Sequence, residues 1–351
     1  MKNILHIIGT RPQIIKLASV LSCESNNFKN FVIDTNQHYD SSMQKNIYND
    51  FGINTDSIIF LDNKKYLSNN VSAITNLLSK RINEIKPNLI LVYGDTYTTV
   101  AGALSAKIHQ IPVVHIEAGL RSFTAQQIEE TNRIIVDNVS DYLFCPTLSS
   151  VKNLSNEGLG QKAEFIGDIM LDIFIKTKPK KPESLSIDFF NETYYLSTIH
   201  RSENLQDENK LKNIIKSFES LPKILLPIHH SLKKKLIEYD LLNSLPASIH
   251  LVNPMKYTET LFAIQNSSAV ITDSGGLQKD AFWMNKPIVT LRDSTEWIET
   301  VELGQNKLIN KFPLNLLDII NEIKDDGSDR FSFYGKGNAV LNMMSKIEKI
   351  I

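Results

Sequence analysis

Residues 88–121 read NLILVYGDTYTTVAGALSAKIHQIPVVHIEAGLR. Two short apolar runs, 88–93 and 111–116, flank a segment at 97–109 with helical spacing of its apolar residues. The runs are continuously apolar rather than alternating, which is the mark of strands buried on both faces of a parallel sheet. Strand, helix and strand in this order make a βαβ unit. Outward from it the pattern continues, with strands expected near 3–8, 30–34, 57–61, 142–145 and 163–166 and a further helix at 69–85. The tract 176–186, KTKPKKPESLS, breaks the alternation with two prolines and a run of lysines, a composition suited to an exposed linker. Beyond it strands are expected near 193–199, 223–228, 248–252, 268–272, 287–291 and 305–309, and an amphipathic helix at about 337–350. The fold class is therefore α/β, with two doubly wound Rossmann-like domains facing a cleft. The expected boundaries are 1–175 and 191–330, a linker at 176–190, and a terminal segment at 331–351. In open parallel sheets ligands bind beyond the carboxyl ends of the strands, so residues just after strands are the candidates for function.

The 351 residues carry 38 basic and 39 acidic side chains, a formal charge of -1. Such a balance gives no global attraction to nucleic acid or anionic membrane. Two cysteines, Cys23 and Cys145, cannot build a disulfide framework or a cysteine zinc site. No apolar run approaches the roughly 20 residues that span a bilayer. The run Ile4 to Ile8 stops at Gly9-Thr10-Arg11, short of a signal-peptide core, and reads as a first buried strand. The expected setting is cytoplasmic. Glycine is scarce at 14 residues, so each glycine turn stands out.

Gly9-Thr10-Arg11-Pro12-Gln13-Ile14-Ile15-Lys16 follows the first strand. Its glycine turn, its early proline and the cations Arg11 and Lys16 suit an anion at a helix N-terminus, or a plain turn with solvated charges. In Gly94-Asp95-Thr96, Asp95 taken alone reads first as an N-cap, with a carboxylate placed for chemistry as the alternative. Glu117 follows an apolar strand directly, and a buried carboxylate needs a partner. His115 within that strand reads as a satisfied core histidine. Glu129, Glu130, Asn132 and Arg133 open a helix, where Glu129 and Arg133 share a face and suit a simple ion pair. Asp95, Glu117 and Glu129 together make an acid/base group if their surroundings differ.

In the second half, His200-Arg201-Ser202-Glu203-Asn204 follows a strand with an imidazole and a phosphate-holding cation, and His229-His230 repeats the theme more weakly. Thr272-Asp273-Ser274-Gly275-Gly276 is the sharpest feature. Adjacent glycines and the Ser274 hydroxyl at a helix start suit a phosphate. Arg292 and Glu296 end the next strand.

As an ordered set, Gly9-Thr10-Arg11-Pro12, Gly94-Asp95-Thr96, His115 to Arg121, Glu129 to Arg133, His200 to Asn204 and Asp273 to Gly276 resemble the non-hydrolysing UDP-N-acetylglucosamine 2-epimerase family. The resemblance implies a glycosyltransferase-B-like fold, UDP-sugar in the cleft, and a C-terminal helix returning to the first domain. It also implies a homodimer and no cofactor or metal. Inversion at carbon 2 would proceed by elimination of UDP to a 2-acetamidoglucal and re-addition. By motif match Asp95, Glu117, Glu129, His200 and Lys16 take catalytic roles. Arg11, Arg133, Arg201, His229, Ser274, Gly275, Gly276, Asp280, Arg292 and Glu296 take the UDP-sugar.

The chain departs from the family pattern at Lys279-Asp280, where two glutamates are usual. It departs again at Trp297-Ile298, where Arg-Pro is common, and at Ser202, where many members carry arginine. These departures resemble the relatives that act on UDP-2,3-diacetamido-2,3-dideoxyglucuronate. Gln37-His38-Tyr39-Asp40 resembles part of the family's allosteric region. A hydrolysing epimerase, a glycosyltransferase of the same fold and a catalytically silent UDP-sugar-binding protein are the competing readings, and Pro12 argues against the first.

Overall fold

The computed structural model describes residues 1–23, 27–37, 47–61, 70–124, 127–324 and 327–351. The chain divides into two compact units, Met1–Lys176 with Phe331–Ile351, and Thr177–Arg330. In the first unit the strands are β1 (Lys2–Ile8), β2 (Phe28–Asp34), β3 (Ile58–Phe60), β4 (Leu89–Tyr93), β5 (Val113–Ile116), β6 (Tyr142–Cys145) and β7 (Ala163–Phe165). They form one parallel sheet in the order β3-β2-β1-β4-β5-β6-β7. The second unit holds β8 (Tyr195–Thr198), β9 (Ile224–Pro227), β10 (Ile249–Val252), β11 (Val270–Thr272), β12 (Ile288–Thr290) and β13 (Asn306–Leu308). These strands are also parallel, in the order β10-β9-β8-β11-β12-β13. Every strand expected from the sequence is present, most of them shorter by a residue or two.

Burial on both sheet faces explains the unbroken apolar runs. Leu89, Leu91 and Tyr93 of β4 pack with Ile4 and Ile8 in one core layer. Ile90 and Val92 pack with Leu5 and Ile7 in the other. His6 is the polar exception in β1, fully buried between two partners. Its Nδ1 lies 2.7 Å from the Tyr93 hydroxyl and its Nε2 lies 3.1 Å from Asn30 Oδ1. Burial pushes its pKa down to about 4, so the ring is neutral at pH 7, donating to Asn30 and accepting from Tyr93.

Residues of the lysine and proline tract count with the second unit. There the Lys180 amide donates to Thr258 O at 3.0 Å, and a short helix, Ile187–Asn191, follows. The last helix, Ala339–Ile350, belongs to the first unit, where Val340, Met343 and Ile347 join the core of Ile14 and Leu17. Asp172 accepts from the Ala339 and Val340 amides at 3.0 and 2.8 Å, satisfying donors that a helix start leaves open.

In both sheets the strand order reverses beside the first strand, between β1 and β4 and between β8 and β11. Such a reversal leaves a crevice at the carboxyl ends, where doubly wound sheets bind ligands. The turns at Gly9, Gly94-Asp95, His200 and Asp273 to Gly276 fall at these two places, and Glu117 follows the neighbouring β5.

Candidate active site

At the first reversal the helix Arg11–Leu21 starts directly after the β1 turn, with Pro12 inside its first turn. Gln13, buried in that turn, ties the two strand ends together. Its Oε1 accepts from the Gly9 and Thr10 amides at 2.8 and 3.1 Å. Its Nε2 donates to Tyr93 O at 2.7 Å and to the hydroxyls of Thr96 and Thr99. Gly9 is required by crowding rather than by its dihedrals, because a Cβ there would run into the hydroxyls of Thr35 and Thr98. Thr96 caps the helix Tyr97–Ile108, so the cap role considered for Asp95 belongs to its neighbour.

Lys16 and Glu117 form an ion pair, each side chain 9% exposed. A Cβ on Gly94 would lie 3.5 Å from Lys16 Nζ and 3.8 Å from a Glu117 carboxylate oxygen, so the β4 turn backs onto the pair. Glu117 itself has φ 72°, a left-handed conformation that few non-glycine residues adopt. The Glu117 and Ala118 amides both donate to Phe144 O at 3.1 Å, which holds the turn in that shape. Backbone strain of this kind clusters at functional sites and persists where the surroundings enforce it.

Asp95, with its side chain 27% exposed, meets Arg133 Nη2 at 2.5 Å. Its carbonyl accepts from Asn132 Nδ2 at 2.9 Å. Arg133 also pairs with Glu130 at 3.1 Å, and Glu130 takes the Ser122 and Phe123 amides at 2.9 and 3.0 Å. Glu129 stands half-buried in the first turn of the same helix, Ile128–Val139. Arg11 is half-buried at the start of its own helix. His115 is a buried strand residue with both ring nitrogens bonded, as the sequence reading has it.

At the second reversal Asp273 plays the part that Gln13 plays at the first. It is fully buried just after β11, and its carboxylate takes the His200 amide at 3.0 Å, the Arg201 amide at 3.0 Å and Asn204 Nδ2 at 3.1 Å. His200 Nδ1 lies 3.0 Å from Asp273 Oδ1. Burial opposes the charge on Asp273, yet His200 and these donors hold its pKa at about 2. Arg201 Nε reaches Asp273 O at 3.0 Å. The His229 ring lies 5.7 Å from that of His200 and accepts at Nδ1 beside Ser231.

Ser274 caps the helix Gly275–Trp283 by accepting from the Leu277 amide. The two glycines differ. A Cβ on Gly275 would collide with the Glu296 carboxylate, whereas one on Gly276 would meet nothing within 4 Å. Glu296 is bonded by the buried Arg292 at 2.9 Å, with Arg201 4.0 Å away, so a carboxylate already sits against this helix start. Asp280 is buried and accepts from the Tyr257 hydroxyl at 3.1 Å. Lys279 lies 4.0 Å from the centre of the Trp297 ring.

Gln13, Asp137, Glu130 and Asp273 were not singled out as site residues by sequence. Gln13 and Asp273 lie inside quoted motifs, and their role is visible only once strand order is known. Asp137 lies mid-helix and carries no local signal. Gln37 accepts from the Thr98 amide and hydroxyl at 3.2 and 2.8 Å, while His38, Tyr39 and Asp40 fall outside the described residues.

Comparison with known proteins agrees with this geometry. The family described as UDP-N-acetylglucosamine 2-epimerase matches residues 22–348. The chain belongs to that family. It is 36% identical to a UDP-N-acetylglucosamine 2-epimerase homolog of Methanococcus maripaludis, over 99% of this chain and 100% of the relative. It is 35% identical to the UDP-2,3-diacetamido-2,3-dideoxy-D-glucuronate 2-epimerase of Pseudomonas aeruginosa, again over 99% and 100% of the two chains. The crystal structure of Methanocaldococcus jannaschii UDP-GlcNAc 2-epimerase, in complex with UDP-GlcNAc and UDP, superposes with a TM-score of 0.90 at 33% identity, covering 99% of each chain. Four of the epimerase motifs of this chain thus lie at the strand-order reversals of two Rossmann-like units and two follow β5, and no described helix is long and apolar enough to cross a membrane.

Proposed function

We propose that this epimerase inverts carbon 2 of a UDP-2-acetamido sugar while UDP is eliminated and returned. The observation that carries the reading is the Lys16–Glu117 pair against the Gly94 turn, with Asp95 bound to Arg133, in a chain matching the epimerase family over 22–348. In the forward step the C1–O bond breaks with its electron pair passing to the β-phosphate oxygen, and the C2 proton passes to a carboxylate. The 2-acetamidoglucal is then protonated at C2 from the opposite face, and UDP adds back at C1. Two proton-transfer groups are needed, and Asp95, Glu117 and Glu129 are the candidates. Lys16 and His200 assist the leaving diphosphate. Arg11, Arg201, Ser274, Gly275, Gly276 and Arg292 hold UDP through charge and amide donors, with His229, Asp280, Glu296 and Arg133 as further contacts.

The first substrate to test is UDP-N-acetylglucosamine. UDP-2,3-diacetamido-2,3-dideoxyglucuronate is the second, favoured by the full-length match to the Pseudomonas enzyme and by Lys279 packed against Trp297. Incubation with each in deuterated water, followed by proton NMR, should yield an epimer still joined to UDP with deuterium at carbon 2. Free sugar as sole product would favour hydrolysis, and absence of exchange with both would defeat the proposal. We further place the enzyme in the cytoplasm, where its free thiols Cys23 and Cys145 stay reduced. It would act as a homodimer through the helix Ile128–Val139, which leaves Ile128, Ile134 and Ile135 exposed. Sedimentation showing a monomer would refute that pairing.

A further inference from the structure

Behind the strand ends of the first unit lies a chain of polar side chains, buried except at its last member, Glu157. His115 Nδ1 is 2.6 Å from Asp137 Oδ1, and its Nε2 is 2.7 Å from the Gly94 carbonyl. The other Asp137 oxygen takes the Gly119 amide at 3.2 Å and Arg121 Nη1 at 2.8 Å. Arg121 in turn grips Glu157 at 2.8 and 2.6 Å. We infer that His115 and Asp137 are positioning residues that fix the Asp95 and Glu117 carboxylates relative to each other. The inference rests on the epimerase reading above.

A carbonyl only accepts, so Nε2 of His115 carries a proton. Burial works against charge on Asp137, but His115 and then Arg121 hold it below the usual carboxylate range. The other ring nitrogen lies against the Asp137 carboxylate, so each nitrogen anchors one partner. One contact fixes the Gly94 peptide, where φ is 65° and Asp95 follows. Through Asp137 the other reaches the Gly119 amide, which closes the turn begun at the left-handed Glu117. His115 and Asp137 thereby clamp two turns from adjacent strands, each carrying one candidate acid. Asp137 and Arg121 are buried and face each other as opposite charges, which is the condition for keeping charges in a dry interior, while Glu157 ends the network at the surface.

Two substitutions separate the contacts. His115→Asn keeps a donor near Nδ1 and loses the one to Gly94, whereas His115→Gln keeps a donor near Nε2 and loses the one to Asp137. With the substrate that the wild type turns over, His115→Asn is expected to lower kcat about tenfold to a hundredfold, the scale of a misplaced reacting group. KM should stay within about twofold. The isotope effect with 2-deuterated substrate should rise as proton transfer becomes limiting, and His115→Gln should recover part of the lost kcat. Asp137→Asn carries the same expectation if His115→Asn does not fold. A folded variant with lowered thermal midpoint but unchanged kcat and isotope effect would overturn the inference. A wild type inert toward both UDP-sugars would instead overturn the reaction on which it rests.

Discussion

His6 makes the first unit sensitive to mild acid. The ring is buried in β1 with its pKa lowered to about 4, against about 6.5 when unfolded. Between those values the unfolded chain binds a proton that the folded one refuses, so stability falls as pH falls. The full difference is worth roughly 3 kcal/mol. From pH 7 to pH 5 the same two pKa values give a loss of about 2 kcal/mol, in a range where ordinary carboxylates stay ionised. His6→Gln keeps a donor for Asn30 and removes the titrating ring. It leaves the Tyr93 hydroxyl without its acceptor, costing about 1–3 kcal/mol at every pH. Urea denaturation followed by circular dichroism at both pH values tests this. Trp283 and Trp297 both lie in the second unit, so their fluorescence supplies an internal control that the substitution should not change. The expected result is a variant weaker than wild type at pH 7 but losing about 2 kcal/mol less on acidification. Equal acid losses in the two proteins would refute the reasoning, since the titrating group would then lie elsewhere.

Other perturbations probe the two strand-end sites. Lys16→Met and Glu117→Gln should each cut turnover by about a hundredfold or more, and the double variant should be little worse than either, because paired groups act as one unit; additive losses would show that the two groups act independently. Asp273, held at about 2 against an ordinary 3.8, contributes stability that is present above pH 4 and lost as pH falls toward 2. Asp273→Asn should flatten that acid limb in tryptophan-monitored denaturation, and an unchanged limb would count against it. Gly9→Ala should destabilise the first unit by about 1–3 kcal/mol through overpacking against Thr35 and Thr98; removing the Thr98 hydroxyl in the same chain should recover part of the loss in a thermal melt.

The sheets were legible because parallel strands covered on both faces have no solvent side to interrupt their apolar runs. Leu89 to Tyr93 shows why, feeding alternate side chains to two core layers. The candidate acids were legible for a related reason. A polar residue directly after such a run, as at Asp95 or Glu117, stands at the carboxyl edge of the sheet. Contacts across the fold were not legible. Asp137 lies 18 residues beyond Gly119, within a helix whose pattern gives it no distinction. Glu296 reaches Gly275 only through the packing of a later strand end, so the crowding that a Cβ at Gly275 would meet has no local signal.

The two units meet one physical problem with different chemistry. Each must hold the ends of its first and fourth strands apart enough to leave a crevice and together enough to be rigid. In the first unit an uncharged side chain, Gln13, does this, taking amides on one side and donating to Tyr93 O on the other. In the second a carboxylate, Asp273, gathers only donors. The difference follows the neighbours. Beside Gln13 stand Lys16 and Glu117, already a matched pair, and a second buried anion there would compete for Lys16. Beside Asp273 stand the backbone amides of His200 and Arg201, which an anionic staple can gather while His200 stays 38% exposed. The Asp273 carboxylate holds that imidazole from beneath without occupying its outer face.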